Sequence, residues 1–201
     1  MNKLIYAKKL GMTQIITDNG DLVAVSVLQV INGQLIREKS IENDGYRAAV
    51  VGFGLSSKSN KPHNGQFKKN NLDVNSFLTE LRLDLDQKID ENLFDIKQFS
   101  VGDELKIRSK SVGKGFAGTI KRWGFSRGPE THGSKNKRLP GSIGAGTYPG
   151  RVLPGKKMSG RMGHKYVSLN SQVIKIDEDK NLLFLSSTVP GKKETLVRIE
   201  G

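Results

Sequence analysis

Residues 12–30 have the sequence MTQIITDNGDLVAVSVLQV, in which two runs rich in β-branched residues flank Asp18-Asn-Gly-Asp21. An Asn-Gly pair between two such runs is a strong signal for a β-hairpin, because both residues tolerate the positive φ of a tight turn. The stretch therefore predicts two paired strands, at 12–17 and 22–30, and a fold built mainly from β-sheet.

Other strand patterns lie on both sides of this hairpin. They predict strands at 4–7, 34–39, 46–53, 101–108, 165–176, 181–187 and 195–199. Residues 55–100 differ, because a turn-forming linker is followed by helical patterns at 65–70 and at 73–81, the second beginning with a capping aspartate. The sequence thus predicts a mainly β fold with a small α+β insertion, closed by its last strand.

The basic residues are concentrated in one part of the chain. Of the 33 basic and 20 acidic residues in the chain, residues 106–167 hold 15 Lys or Arg and one acidic residue, Glu130. The rest of the chain is therefore nearly neutral, with 18 basic and 19 acidic residues. The same stretch contains 13 of the 23 glycines. A solvated surface usually mixes charges of both signs, so this bias favours contact with nucleic acid.

Within this stretch, residues 114–123 predict one short basic helix, and residues 124–163, here called the arm, have almost no periodicity. Strand patterns flank the arm, so we expect an internal loop held at both ends rather than a tail. Few aromatic residues are available for stacking, which favours recognition of RNA by its backbone and shape. We expect the arm to be disordered alone and ordered on its partner.

Composition excludes several classes of protein. The chain has no cysteine, which excludes disulfides, zinc knuckles, iron–sulfur sites and thiol nucleophiles. Its three histidines, His63, His132 and His164, are too scattered to indicate a metal site. The N-terminal residues lack a signal-peptide pattern, and no apolar run approaches the ~20 residues that span a membrane. We therefore expect a cytoplasmic protein with no cofactor, no metal and no membrane partner.

Two motifs could indicate an enzyme. Gly113–Gly118 fits the G-x-G-x-x-G pattern of dinucleotide binding, but no second parallel strand follows and no acidic residue lies at the expected distance. A turn into a helix whose free N–H groups and Lys114 meet a phosphate explains it better. His132 could act as a base oriented by Glu130, but a catalytic pair needs a rigid frame that this loop does not predict. We expect no catalytic residue.

Residues 114–129, KGFAGTIKRWGFSRGP, resemble the family of bacterial large-subunit (50S) ribosomal protein three, the universal L-three family. The resemblance covers essentially the whole chain, through 132–135, 138–144, 149–152 and 155–163, and in the N-terminal half through 11–15, 44–46, 52–54, 60–62 and 67–69. It implies a structural, non-enzymatic constituent of the large ribosomal subunit, with a translation-protein-type closed β-barrel, an inserted α/β lobe and a long irregular basic arm.

The resemblance also implies partners. The arm would bind large-subunit (23S-type) ribosomal RNA and reach toward the peptidyl transferase centre. The protein would support early subunit assembly, contact the neighbouring large-subunit proteins fourteen and nineteen, remain ribosome-bound and not be an obligate homo-oligomer. The corresponding division is 1–54 first part of the barrel, 55–100 insertion, 101–123 barrel strand and basic helix, 124–163 arm, and 164–201 C-terminal barrel strands.

Specific residues follow from this assignment. The expected phosphate-binding residues are the basic residues of the arm and its helix: Lys114, Lys121, Arg122, Arg127, Lys135, Lys137, Arg138, Arg151, Lys156, Lys157 and Arg161. The expected arm tip, near the peptidyl transferase centre, is Ile143, Gly144, Ala145, Gly146, Thr147 and Tyr148.

The chain departs from the family pattern at two places. Ala145 and Gly146 stand where many relatives have a glutamine that some of them methylate, so that modification is not expected here. Glu130 and Lys137 stand where a neutral residue and often a histidine are expected. Two other functions remain as alternatives: an RNA-modifying enzyme that uses His132 and Glu130, and an architectural DNA-binding protein.

Overall fold

The computed structural model describes residues 3–17, 19–56, 58–68, 71–83 and 94–201. Asp18 of the predicted hairpin turn, residues 69–70 of a predicted helix and residues 84–93 of the predicted insertion lie outside these ranges. The chain divides into two units, one comprising Met1–Lys110 with Tyr166–Gly201 and the other Ser111–Lys165, here called the basic unit.

Strands predominate among the described residues, which confirms the predicted mainly β class. In chain order the elements are β1 (Leu4–Ile16), β2 (Leu22–Ile31), β3 (Gly33–Lys39), α1 (Ile41–Asp44), β4 (Ala48–Leu55), α2 (Lys61–Lys68), β5 (Asn75–Arg82), β6 (Glu104–Lys110), β7 (Phe116–Ala117), α3 (Thr119–Trp123), β8 (Gly160–Arg161), β9 (Tyr166–Asp177), β10 (Leu182–Leu185) and β11 (Leu196–Glu200). A 3-10 turn at Ile96–Gln98 precedes β6.

Six strands of the first unit hydrogen-bond in a closed ring in the order β1-β11-β6-β9-β10-β2. All six pairings are antiparallel. Side chains alternate across each strand: on β6, Leu105, Ile107 and Ser109 are buried, whereas the residues between them are exposed. The ring interior is an apolar core that includes Ile5, Leu28, Ile107, Leu183, Leu185, Val197 and Ile199.

The predicted hairpin is present, but its first strand is longer than expected. The patterns at 4–7 and 12–17 belong to one strand, β1, whose pairing with β2 shifts register between Lys9 and Gly11. A β-bulge of this kind bends a strand without ending it, and it interrupts the two-residue period on which strand prediction relies.

Three further strands form a separate sheet in the order β3-β4-β5. The helix predicted at 73–81 is wrong, because residues 75–82 form β5 and pair with β4. The reason is packing on both faces: Phe77 and Leu81 contact one apolar cluster and Leu78 another. A strand covered on both sides mimics helical spacing. Of the range 1–54 that was assigned to the barrel, β3 and β4 lie in this second sheet, and only β1 and β2 enter the ring.

A network of three polar side chains fastens the second sheet. The Lys39 ammonium donates to the Tyr46 hydroxyl at 2.6 Å and lies 2.7 Å from the Glu80 carboxylate, which also accepts from Tyr46 at 2.8 Å. The hydrogen bond from Lys39, and to a smaller extent the one from Tyr46, holds the pKa of Glu80 below its ordinary value of 4.5. The hydrogen bond to Glu80, and to a smaller extent the one to Tyr46, raises the pKa of Lys39 above its ordinary value of 10.5.

Candidate nucleic-acid interface

The basic unit begins and ends in a short paired region, here called the neck, formed by residues 111–117 and 160–165. Its backbone bonds include Ser111 N–H to the Lys165 carbonyl and Lys114 N–H to the Met162 carbonyl, both at 2.9 Å. Gly163 has φ +74°, and a Cβ there would overlap the carbonyl oxygen of Val112. Only a glycine at position 163 lets the two limbs approach this closely, so the neck depends on Gly163 having no side chain.

The helix predicted at 114–123 is shorter than expected. Residues Phe116 and Ala117 pair with Arg161 and Gly160 as β7 and β8, and α3 begins only at Thr119. The two limbs of the neck satisfy the backbone groups that a longer helix would have used internally. The prediction of helix for residues 114–118 is therefore wrong.

One carbonyl group, that of Met158, joins α3 to the segment that leads from the arm back into the neck. The Met158 carbonyl accepts hydrogen bonds from Arg122 Nη1 at 2.7 Å and from Trp123 Nε1 at 2.8 Å. The Arg122 guanidinium also lies 5.0 Å from the Trp123 ring centre, and the Lys157 ammonium lies 5.9 Å from it, both within cation–π range. Arg122 thus has a structural role in holding the limbs together as well as a positive charge.

A loop at residues 128–137 is closed by the Gly128 N–H donating to the Lys137 carbonyl at 3.0 Å. Within it, Glu130 Oε1 lies 3.1 Å from Lys137 Nζ and 3.6 Å from Arg127 Nη1. Glu130 and Lys137, which both depart from the family pattern, are therefore the two ends of one ion pair. The side chains of all three residues are more than half exposed, so the pair adds little to stability.

The tip of the arm is organised by local hydrogen bonds. The Ser142 hydroxyl donates to the Gly144 carbonyl at 3.0 Å, and the Gly150 N–H donates to the Gly146 carbonyl at 3.1 Å. The Tyr148–Pro149 peptide bond is cis, and the Tyr148 side chain is 91% exposed. Apolar side chains elsewhere in the arm, such as Leu139 and Leu153, are also exposed.

Residues 120–165 contain no buried residue, and all of them are described. The arm consequently has no hydrophobic core of its own. The conformational entropy that it loses on becoming ordered must therefore be offset by contacts with another molecule. The basic unit carries twelve Lys or Arg against one acidic residue, Glu130. This combination suits a long polyanionic partner that neutralises charge and covers exposed apolar side chains at once.

Most of the residues predicted to contact RNA lie on the surface. Ten of the eleven predicted phosphate-binding residues are exposed, and Arg122 is partly buried; all six predicted tip residues are exposed. The structure brings Arg122 and Lys157 together at Trp123, and Arg127 and Lys137 together at Glu130. The other predicted residues are spread along the arm rather than gathered at one point. The sequence did not predict that Arg122 and Trp123 both donate to the Met158 carbonyl, because a backbone acceptor leaves no signal in the sequence.

The described residues show no arrangement that matches a catalytic pair, a metal site or a membrane-spanning helix. No hydrogen bond joins Glu130 to His132 there, and Glu130 is instead paired with cations. No cluster of three or more potential metal-binding side chains occurs among the residues that the structure describes. In the same part of the chain, no helix has both the length and the hydropathy needed to span a bilayer.

Comparison with known proteins supplies the family. Residues 73–190 match the family model described as Ribosomal protein L3. The chain is 44% identical over 200 residues to "Large ribosomal subunit protein uL3" of Prochlorococcus marinus (strain MIT 9312), an alignment that covers 98% of this chain and 92% of the relative. It is 43% identical over 199 residues to the protein of the same name from Synechococcus sp. (strain CC9311), with 97% and 91% covered.

A further relative is "Large ribosomal subunit protein uL3c" of Phaeodactylum tricornutum (strain CCAP 1055/1), 40% identical over 199 residues with 97% of this chain and 96% of the relative covered. Similarity at this level over nearly the whole length of both chains, together with the match to the family model, establishes the relationship. This chain belongs to the ribosomal protein L3 family.

Proposed function

We propose that this chain is a structural constituent of the large ribosomal subunit that binds large-subunit ribosomal RNA directly through its basic unit. Its relatives are named as large ribosomal subunit proteins, and the family is structural rather than enzymatic. The single observation that carries the proposal is the arm: residues 120–165 bury no side chain, yet they lie in a unit with twelve basic residues and one acidic residue.

The mechanism is electrostatic and shape-based. The eleven basic residues predicted from the sequence neutralise phosphates, and the release of condensed counterions supplies most of the free energy. Glycines such as Gly141 and Gly146 have a positive φ, a backbone conformation that residues with a side chain rarely adopt, and so let the arm turn sharply. Recognition of this kind reads the course of the RNA backbone rather than base edges.

Family membership supports finer parts of the proposal. The arm tip, Ile143–Tyr148, would approach the peptidyl transferase centre, and binding would occur early in subunit assembly. Large-subunit proteins fourteen and nineteen would be neighbours in the assembled particle. The ring of six strands would be the closed barrel of the translation-protein type that the resemblance implies.

Ultraviolet crosslinking tests the proposal directly. The full-length chain is bound to protein-free large-subunit ribosomal RNA and irradiated, and crosslinked peptides are identified by mass spectrometry. Crosslinks are expected to include sites within residues 111–165, at exposed aromatic side chains such as Phe116 and Tyr148. A protein that binds the RNA but yields crosslinks only outside this range would contradict the assignment of the interface.

A further inference from the structure

A second cationic surface lies in the first unit, on the outward face of the ring. It is a cleft of about 450 Å³ whose lining includes cations from β6 and β11 and aromatic rings from β1, β5 and β9: Arg108, Lys110, Arg198, Tyr6, Phe77 and Tyr166. Thr195 and Leu196 also line it. Pockets for small ligands typically measure roughly 300–1,000 Å³, so the cleft is large enough for a single nucleotide.

The strand register concentrates positive charge in this cleft. Arg108 on β6 lies directly opposite Arg198 on β11, and Lys110 lies two residues further along β6. Side chains at such paired positions are ~5 Å apart at Cβ, and like charges placed there repel. The Glu200 carboxylate is 2.6 Å from Arg198 Nε and offsets one of the three cations. No acidic residue lines the cleft among the described residues, so an anion placed between the two arginines would turn repulsion into attraction.

One wall of the cleft is an exposed aromatic ring flanked by cations. Tyr166 is 66% exposed, and it lies opposite Lys110 in the β6–β9 pairing. The Arg108 guanidinium carbon is 5.3 Å from the ring centre, and the Lys110 ammonium is 6.0 Å from it. A large exposed ring on the outside of a sheet offers a planar base a stacking surface next to the charges that its phosphate needs.

The opposite wall is rigid. The Tyr6 and Phe77 rings meet edge to face with centres 4.8 Å apart, and the fully buried Phe53 packs against both at 4.9 and 5.7 Å. The Tyr6 hydroxyl is 3.4 Å from Thr79 Oγ1, which limits rotation of its ring further. A preformed wall lowers the entropic cost of binding, because no large side chain has to be ordered on that side.

We infer that this cleft binds one unstacked nucleotide of RNA, with its phosphate between Arg108 and Arg198 and its base on Tyr166. The choice of RNA rests on the proposed function, but every residue involved lies outside Ser111–Lys165. An acidic peptide would also satisfy the arginines, yet it would leave the exposed Tyr166 ring without a planar partner. The combination of closely spaced cations with an aromatic face favours a nucleotide.

Adenosine 5′-monophosphate titrated into the isotopically labelled full-length chain provides the first test by nuclear magnetic resonance. Millimolar nucleotide should shift the Leu196 methyl signals and the side-chain N–H signals of Arg108 and Arg198. Inorganic phosphate should shift the arginine signals but not those of Leu196. Tyr166→Leu should abolish the Leu196 response to the nucleotide and keep the arginine response, whereas Lys180→Gln, on an exposed turn of the same unit, should change neither.

Either of two results would overturn the inference: no shift at these residues, or identical shifts with nucleotide and with phosphate, which would mean an anion site only. A tighter response to a Glu-rich peptide than to the nucleotide would assign the cleft to a protein partner and would overturn it too.

Affinity for large-subunit ribosomal RNA then separates this inference from the proposed function. Tyr166→Leu should weaken binding about fivefold or more without changing the salt dependence, since a stacked base contributes at least ~1 kcal/mol. Arg108→Gln should weaken it and reduce the salt slope by about 1. If both variants bind like the wild type while the arm-dependent salt slope persists, the cleft inference fails and the proposed function stands. If the wild type does not bind the RNA at all, the proposed function fails whatever the nucleotide titration gives.

Discussion

Neutralising exposed cations of the arm should weaken RNA binding in a strongly salt-dependent manner. The variant combines four substitutions: Lys135→Gln, Arg138→Gln, Arg151→Gln and Lys156→Gln. All four side chains are exposed, and none makes an ion pair or side-chain hydrogen bond within the described residues. Their removal should therefore leave the fold unchanged and act only on contacts with the RNA.

The magnitude follows from counterion release. Each lost phosphate contact lowers the slope of log K against log salt by about 0.7–0.9, so four contacts should lower it by about 3. Relative to 1 M salt, the same slopes give a loss of about 200-fold or more near 0.15 M, and about tenfold at 0.5 M. The predicted penalty thus shrinks steeply as salt rises, which a loss of hydrogen bonds or packing would not do.

The assay is competition binding to large-subunit ribosomal RNA between low and high potassium chloride. The matched control removes four exposed lysines from the first unit instead: Lys58→Gln, Lys97→Gln, Lys175→Gln and Lys180→Gln. It has the same net charge as the arm variant, so it measures the long-range effect of charge alone. Equal losses in the two variants, or an unchanged slope in the arm variant, would refute the reasoning that the arm makes the phosphate contacts.

Three further predictions concern single residues. Glu130→Gln should release two cations now paired within the arm, tightening RNA binding and steepening the salt slope by up to about 1; weaker binding would mean that the ion pair shapes the interface. Gly163→Ala should open the neck and cause loss of hydrogen-exchange protection at residues 111–117, whereas Gly118→Ala, where a Cβ meets nothing within 4 Å, should not; equal protection in both would contradict the close approach. Glu80→Gln should lower the thermal midpoint of unfolding above pH 5, and this effect should shrink below about pH 4. The pKa of the Glu80 carboxyl is depressed in the folded state, so its stabilising contribution is present above the ordinary pKa of 4.5 and is lost as pH falls through the depressed value. An effect on the midpoint that does not depend on pH would exclude the ionised network as its cause.

Sequence patterns located most of the strands because each depends on local information. The hairpin of β1 and β2 follows from an Asn-Gly turn between β-branched runs, and β6 from strict alternation of apolar and polar residues. Charge bias located the basic unit, since it requires only a count of basic and acidic residues along the chain. Local signals of this kind are independent of what the rest of the chain does.

Features that depend on distant contacts were beyond the sequence. β5 resembles a helix until the two apolar clusters on its faces are known, one holding Phe77 and Leu81 and the other Leu78. Residues 116–117 likewise pair with residues 160–161 rather than extending α3. The closure of the ring and the membership of β3 and β4 in a second sheet are likewise long-range pairings. The cleft at Tyr166 is formed by residues from five strands, β1, β5, β6, β9 and β11. In the linear sequence its cations therefore look like ordinary alternating surface residues.

The arm should supply most of the affinity for ribosomal RNA. The most direct test of this claim compares the intact chain with a variant lacking residues 126–162 for binding to large-subunit ribosomal RNA over a salt series. If about eight phosphates are neutralised, the intact chain should show a slope near −6. The deletion variant should remain folded and lose most of both slope and affinity. A folded deletion variant that retains the affinity and slope of the intact chain would contradict the claim and assign the main RNA-binding surface to the first unit.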